Sequence, residues 1–272
     1  MALATALRDL PSWLDFLSRV EIPVLPATVT RLGELALLED DVDAHSIADV
    51  VARDPMMSAK LYRHIASLRR ESQATDIETL NGCVVMMGVP PFFRTFGNLL
   101  PVTLPDDGSD DAPQGLSAVL SRAGRARDFA MDWAIRRNDL DVEVIGTAAL
   151  LHDFAEMLLW CVAPAVAAQV RDLQAANPGM RSVVAQKTVL NVEIPSLQRA
   201  LMHRWRLPAL LLKITDERES DDPQVRNVHL AVAVARHSAE GWDNPALPDD
   251  YVALGQLLNI SAVQARLLVM PE

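Results

Sequence analysis

Apolar residues recur at three- and four-residue steps along most of the chain, which is the spacing of one face of an α-helix. Helix-start signals accompany this pattern in the first half, where Pro26, Asp43 and Asp54-Pro55 each precede such a run and Thr75 opens another. No region is rich in strand-like alternation. The pattern predicts an all-α fold, with later helices over about 116–137, 142–162, 164–176, 180–190, 195–206, 208–217, 223–240 and 249–269.

One segment interrupts the helical pattern. Between Pro101 and Gly115 the chain carries a run of aspartates and several prolines, a composition that cannot bury enough apolar surface to fold alone. We therefore predict an N-terminal helical lobe over 1–100, an acidic linker over 101–115 and a C-terminal helical lobe over 116–272.

The net charge is −11 at neutral pH, and half of the 272 residues are hydrophobic. A field of this sign repels phosphate, so nucleic acid is not expected as a partner. A local basic cluster, Arg122, Arg125 and Arg127, could bind an anion, although a solvated helix face is the favoured interpretation.

The two cysteines, Cys83 and Cys161, lie inside apolar segments, which indicates buried free thiols in a reducing compartment. No uninterrupted apolar stretch of about 20 residues stands out, and the N-terminus has no basic start followed by an apolar core. These features predict a cytoplasmic protein without membrane insertion.

The most informative motif is the dipeptide His152-Asp153, at the end of the apolar run that begins at Thr147. An adjacent imidazole and carboxylate can bind one divalent ion, and this pair is the core of a hydrolytic metal site. A catalytic metal usually needs at least three protein ligands, however, so the pair alone makes a weak site.

The order of several motifs resembles the HDOD domain, a helical signalling module related to the HD phosphohydrolases, over residues 20–240. The blocks that carry this resemblance are Ile22-Pro23-Val24-Leu25-Pro26, Ala52-Arg53-Asp54-Pro55, Met57-Ser58-Ala59-Lys60-Leu61, Cys83-Val84-Val85-Met86-Met87-Gly88, Leu150-Leu151-His152-Asp153 and Leu201-Met202-His203-Arg204-Trp205-Arg206-Leu207-Pro208. Ala66-Ser67 departs from the family's usual Asn-Ser.

Further departures concern the metal site that the resemblance implies. Catalytic HD proteins have a histidine upstream of His-Asp, but here the corresponding stretch, 121–126, has none. Ile194 stands where many members have a histidine before the Trp block, and Asp216-Glu217 lies where a His-His pair is common. Phe154-Ala155-Glu156 replaces the usual Ile-Gly-Lys after His-Asp.

We therefore expect His152 and Asp153 to form a structural inter-helix hydrogen bond rather than a working metal site. The predicted partner of the Asp153 carboxylate is Arg122 or Arg125 on the preceding helix. Arg122, Arg125, Asp216 and Glu217 are the predicted neighbours of the degenerate motif, and we expect no catalytic residue, bound metal or cofactor.

The other polar candidates receive structural interpretations. His203 is expected to be an exposed helix residue, and Trp205 a core anchor whose indole N–H needs an acceptor. His229 and His237 could share a helix face, but no carboxylate lies between them at ligand spacing. His45 and His64 have no evident partner. Trp13 and Phe16 are expected to pack an added N-terminal helix onto the lobe.

Two functions remain open. The first, implied by the resemblance, is a non-catalytic bacterial signalling or regulatory scaffold whose helical body binds a protein or a small ligand, with input and output supplied by separate proteins. The second is a divergent metal-dependent phosphohydrolase in which Asp128, Asp132, Asp216 or Glu217 replaces the missing histidines. Carboxylates can hold Mg²⁺ or Mn²⁺, so this replacement is chemically permitted.

Overall fold

The computed structural model describes residues 3–39, 41–68, 77–103, 111–216, 218 and 221–270. Its helices, in chain order, are α1 (Leu10–Arg19), α2 (Pro26–Ala36), α3 (Ala44–Val51), α4 (Pro55–Leu68), α5 (Leu80–Met87), α6 (Val89–Phe96), α7 (Asp111–Arg137), α8 (Val142–Leu151), α9 (Phe154–Val162), α10 (Pro164–Ala176), α11 (Ser182–Leu190), α12 (Ile194–Arg204), α13 (Ala209–Ile214), α14 (Pro223–His237), α15 (Leu247–Leu258) and α16 (Ala262–Val269). Within the described ranges, β structure is limited to one isolated parallel bridge between Val24 and Pro101. The fold is all-α, as predicted.

The chain forms two compact units, and each is built from two stretches of sequence. The first unit comprises Met1–Val119 and Asp153–Pro208, and the second comprises Leu120–His152 and Ala209–Glu272. The chain passes from one unit to the other inside α7, at the His152-Asp153 dipeptide and after Pro208. These units do not follow the lobes expected from composition, because packing groups α9 to α12 with the N-terminal helices.

The predicted linker, 101–115, is only partly described. Residues 104–110 lie outside the described residues, and Pro101 takes part in the bridge to Val24. Asp111 to Gly115 are helical, so α7 begins five residues earlier than predicted. Asp111 favours this earlier start, because an acidic residue in the first turn interacts favourably with the helix dipole.

In the first unit, α1 packs against α12. Trp13 is fully buried, and its indole N–H donates to the carbonyl of Leu190 at 2.8 Å. Phe16, on the same helix, is half-buried. The added N-terminal helix therefore packs onto the protein as predicted, but it packs against α12, which the sequence assigned to the C-terminal lobe.

Asp54 ties the start of α4 to the start of α2 in the same unit. Its buried carboxylate accepts the backbone N–H groups of Met56 at 2.8 Å, Met57 at 3.1 Å and Leu25 at 2.9 Å. Burial raises the pKa of the Asp54 carboxyl above its usual value, against the opposing effect of these hydrogen bonds. The predicted Asp-Pro helix start is confirmed, and its carboxylate also holds a second helix.

In the second unit, α14 packs against α8 and α15. Helical spacing in the sequence predicts an inward stripe of Val225, Val228, Val232 and Ala235 on this helix, and all four residues are buried. The fully buried Asn227 lies on the same helix and donates from its amide Nδ2 to the carbonyl of Ala130 on α7 at 3.0 Å. This hydrogen bond fixes the register between α14 and α7.

Two long predicted helices are each divided in the structure. The predicted helix over 249–269 bends by 103° between α15 and α16. Asn259 has a left-handed backbone with φ of 55°, which ends α15, and Ser261 starts α16 with a capping box. A Cβ on Gly255 would lie 2.7 Å from the carbonyl oxygen of Ile260, so this tight turn also requires glycine.

The predicted helix over 142–162 is divided at His152-Asp153 into α8 and α9. Of the described residues, one stretch, Val142–Val162, is long and apolar enough to cross a membrane, with a mean hydropathy of 1.4. Of its most apolar part, 78% is buried within the protein, as is usual for a core helix. The bent pair Leu247–Leu258 and Ala262–Val269 passes the same test only if it is taken as one span.

The Asp54 hydrogen bonds lead to a first prediction. Asp54→Ala should lower the free energy of unfolding by about 2–4 kcal/mol, because it removes a helix cap and leaves the Leu25 N–H without its acceptor. Asp54→Asn should cost less, since the amide oxygen can still cap α4. Urea unfolding measures both effects.

Asp43 provides the matched control for this prediction. It caps α3 from an exposed position through one hydrogen bond to the Ser46 N–H at 2.8 Å. Asp43→Ala should therefore cost only about 1 kcal/mol. Equal losses for Asp43→Ala and Asp54→Ala would contradict the second role assigned to Asp54.

Candidate functional site

The candidate site is built around the break between α8 and α9. Every residue from Val144 to Leu151 is buried, which is expected of a helix that is apolar on all sides. His152 still has helical backbone angles, whereas Asp153, with φ of −102° and ψ of 23°, leaves the helix. Both side chains are half-buried. The apolar run thus brings the dipeptide to the edge of a buried helix, as the sequence predicts.

On the side of the second unit, His152 meets a histidine that the sequence did not connect with it. The rings of His152 and His229 have centroids 5.2 Å apart and planes at 82°, an edge-to-face contact. His229 is half-buried on α14, which packs against α8. Sequence spacing paired His229 with His237, and no local signal connects it with a residue that precedes it by 77 positions.

His237 has a different partner, which sequence spacing also missed. Its Nδ1 lies 2.6 Å from a carboxylate oxygen of Asp250, at the start of α15. The exposed fraction of the side chain is 22% for His237 and 11% for Asp250. The carboxylate that contacts His237 thus comes from the next helix, and this pair links α14 to α15.

On the side of the first unit, the start of α9 is capped by a residue from another helix. Asp153 occupies the N-cap position but makes no side-chain capping hydrogen bond. Instead, the buried Gln198 on α12 accepts the Ala155 N–H at 2.7 Å through Oε1. The Asp153 carboxylate is therefore not used to cap its own helix.

Trp205 lies at the end of α12 and is buried, which confirms its prediction as a core anchor. Phe154 contacts it edge-to-face with ring centroids 5.6 Å apart, and the Arg63 guanidinium lies 5.4 Å from the centroid of its ring. Its indole N–H has no hydrogen-bond acceptor among the described residues, unlike that of Trp13. Ring packing rather than hydrogen bonding holds Trp205 in place.

The predicted neighbours of the motif have the following positions. Arg122 and Arg125 are half-buried on the part of α7 that belongs to the second unit. The Arg125 guanidinium donates to the Ser238 carbonyl at 3.1 Å and to the Ser238 hydroxyl at 2.6 Å. Asp216 accepts from Arg218 Nε at 2.9 Å, and Glu217 lies outside the described residues. Arg125 thus bonds to Ser238 rather than to a described carboxylate, and a pairing of Asp153 with Arg122 stays a prediction.

The carboxylates proposed as substitute metal ligands have arginine partners nearby in sequence. Asp128 pairs with Arg127 at 3.1 Å and Asp132 with Arg136 at 2.8 Å, and both carboxylates are substantially exposed. In the described part of the chain, no group of three or more histidine, cysteine, aspartate or glutamate side chains is placed to hold a metal ion. His152 and His229 alone provide fewer donors than a catalytic metal usually needs.

The remaining histidines have the roles expected of surface or core-edge residues. His203 is exposed, as predicted, and His45 is an exposed residue whose Nε2 lies 3.7 Å from Asp49. His64 packs edge-to-face against Phe96, and partial burial lowers the pKa of His64.

Neither cysteine has the environment of a nucleophile. Neither forms a disulfide bond, and Cys83 is fully buried. Burial raises the pKa of the half-buried Cys161 thiol to about 12, which keeps it protonated at neutral pH. The predicted absence of a disulfide is confirmed.

Comparison with protein-family models identifies one match, the HDOD domain, over residues 22–220. A search of curated proteins finds no significant match. Among solved structures, the MmoQ response regulator from Methylococcus capsulatus aligns with a TM-score of 0.67 and 16% identity, covering 92% of this chain and 98% of that one.

Two other solved structures share the fold at similar sequence distance. A virulence factor from Campylobacter jejuni aligns with a TM-score of 0.67 and 19% identity, covering 96% of this chain and 97% of that one. An HDOD domain protein from Geobacter sulfurreducens aligns with a TM-score of 0.50 and 16% identity, covering 96% and 94%. At identities this low, the structural alignments show a common fold.

The Gln198 cap of α9 leads to a second prediction. Gln198→Met keeps the length of the side chain but removes the acceptor of the Ala155 N–H. It should lower the free energy of unfolding by about 1–3 kcal/mol, because this N–H is buried. Chemical denaturation monitored by circular dichroism measures the loss.

The same substitution at the exposed Gln256 on α15 is the control and should change stability by less than about 0.5 kcal/mol. If Gln198→Met and Gln256→Met have equal effects, the capping role of Gln198 is wrong.

Proposed function

The chain belongs to the HDOD domain family, and from this premise we propose that it is a non-catalytic signal-transduction module that binds a protein or a small ligand through its helical body. The MmoQ structure with the same fold is titled a response regulator, which supports a signalling role by analogy. We further propose that it acts in the cytoplasm of a bacterium.

The observation that carries this proposal is the ligand set around His152-Asp153. The described residues provide no group of three side chains suited to a metal, and the carboxylates of Asp128, Asp132 and Asp216 pair with arginines. HD hydrolysis depends on a metal that activates water and neutralises phosphate charge. A net charge of −11 adds to the repulsion of a phosphate substrate.

One observation favours the alternative of a divergent phosphohydrolase. His152 and His229 place two imidazoles in contact, and imidazole is a common ligand of zinc, iron and other transition metals. With the Asp153 carboxylate as a further ligand, such a site would perform metal-assisted phosphoester hydrolysis. The two functions make opposite predictions for metal content.

The third prediction tests this difference. Protein purified without chelators should contain no stoichiometric iron, manganese or zinc by elemental analysis, and it should not hydrolyse nucleotide or cyclic-dinucleotide phosphoesters. The physical reason is that two neutral imidazoles bind a divalent ion too weakly to keep it through purification. Stoichiometric metal that is lost in both His152→Ala and His229→Ala would establish the alternative instead.

The fourth prediction concerns Asp153. If its carboxylate has a structural partner, Asp153→Ala should lower the free energy of unfolding by about 1–3 kcal/mol and the melting temperature by several degrees. Addition of Mn²⁺ should not raise the melting temperature of the native protein. Differential scanning fluorimetry with and without Mn²⁺ measures both effects.

Asp15→Ala is the control, because Asp15 is an exposed carboxylate that pairs only with Arg19 on its own helix. Its effect should be within about 0.5 kcal/mol. A fully stable Asp153→Ala variant, or a stabilisation by Mn²⁺ that this variant loses, would contradict the structural role.

A further inference from the structure

The second unit contains a cleft of about 540 Å³ at the side of α7 that carries Arg125. It is lined by residues of α7, of the end of α14 and the turn after it, and of the C-terminal end of α16: Arg125, Asp128, Phe129, Ser238, Trp242, Leu268, Val269 and Met270. The volume lies in the range of clefts that hold small organic ligands, and a mostly apolar lining with a few polar groups is typical of such sites.

The cation in this cleft is Arg125. Its guanidinium is anchored to α14, with Nη1 3.1 Å from the Ser238 carbonyl oxygen and Nη2 2.6 Å from the Ser238 hydroxyl oxygen. These bonds use two of its nitrogens, and a guanidinium has five N–H donors. Among the described residues no carboxylate forms an ion pair with Arg125, since the nearby Asp128 pairs with Arg127. The cleft therefore presents a fixed positive charge with donor capacity left.

Two aromatic rings lie close to this guanidinium. The centroid of the Phe129 ring is 5.8 Å from the Arg125 Cζ, and that of the Trp242 ring is 5.7 Å from it. Phe129 in turn stacks on the fully buried Trp133, with ring planes 12° apart, which holds the Phe129 ring in place. Trp242 is half-buried after the end of α14. The cleft therefore combines two aromatic rings with one cation.

We propose that this cleft binds a small planar aromatic molecule with one negative charge, such as an aromatic carboxylate or sulfonate. Its ring would pack against Phe129, Trp242 and the apolar end of α16, and its anionic group would accept hydrogen bonds from Arg125. One cation matches one negative charge, whereas the exposed Asp128 at the cleft disfavours a second.

This inference deepens the proposed signalling function, on which it rests for its biological use, because the cleft would be the ligand input. The two can fail separately. Metal content and phosphoester hydrolysis test the signalling proposal, whereas binding of an aromatic anion tests the cleft alone.

The test uses two fluorescent probes with the same rings, anilinonaphthalene sulfonate (ANS) and its neutral parent N-phenylnaphthylamine. The native protein should bind ANS at one site. Arg125→Gln should weaken ANS binding by about tenfold or more, because a charge-assisted hydrogen bond is lost, and should leave binding of the neutral probe unchanged. Trp242→Ala should weaken the binding of both probes.

Two further variants control for unspecific effects. Arg136→Gln removes the same charge from α7 at an exposed position outside the cleft, and it should leave ANS binding unchanged. Asp128→Asn removes an exposed carboxylate that lines the cleft, so it should tighten ANS binding by about two- to threefold even if Arg125→Gln does not fold. Circular dichroism establishes which variants are folded.

The proposal is overturned if native protein binds the two probes equally well, since the site would then be only an apolar surface. It is also overturned if folded Arg125→Gln and Arg136→Gln bind ANS alike, or if Asp128→Asn leaves ANS affinity unchanged. A single site whose ANS affinity falls in Arg125→Gln and Trp242→Ala and rises in Asp128→Asn supports it.

Discussion

Helix ends that lie among buried side chains need hydrogen-bond partners, and this requirement organises both units. The first N–H groups and the last carbonyls of a helix have no partner within it, and water cannot reach them when the end is buried. Side chains from other helices supply partners here. Asp54 serves α4 and the residue before α2, Gln198 serves α9, and Arg125 serves the end of α14.

The same requirement explains what remains of the HD motif. The apolar run from Val142 to Val162 is too hydrophobic to tolerate many polar residues, and His152-Asp153 stands where its two helices separate. A divided helix creates a new carboxyl end and a new amino end in the middle of the protein. Gln198 serves the amino end, and the His152 ring packs against His229. His152 thus takes part in the packing of α8 against α14 through its ring.

In the second unit one side chain both positions a helix end and lines a cleft. Arg125 combines the two roles. It holds the end of α14 through Ser238, and its guanidinium lies close to the rings of Phe129 and Trp242. A ligand that engages this guanidinium would act directly on the packing of α7 against α14.

The sequence by itself determined the class of fold, most helix starts and the family. Asp43, Asp54-Pro55 and the stripe of α14 could be identified because capping and amphipathic spacing are local properties. The motif blocks also preserve their order along the chain. The blocks also show which positions of this chain correspond to the histidines of catalytic HD proteins. The absence of those histidines could therefore be recognised from the sequence.

Only the tertiary structure decided which distant residues meet. Gln198 capping α9, His229 against His152, Asp250 with His237 and the cleft at Arg125 all join residues from different helices. The break at 152–153 was also beyond the sequence pattern, because the hydrophobic period continues across it. The break at 259–261 carries local signals, Asn259 and the capping box of Ser261, that could have indicated it. Periodicity records which face of a helix is buried, but the side chain that satisfies a buried helix end is chosen by packing in three dimensions.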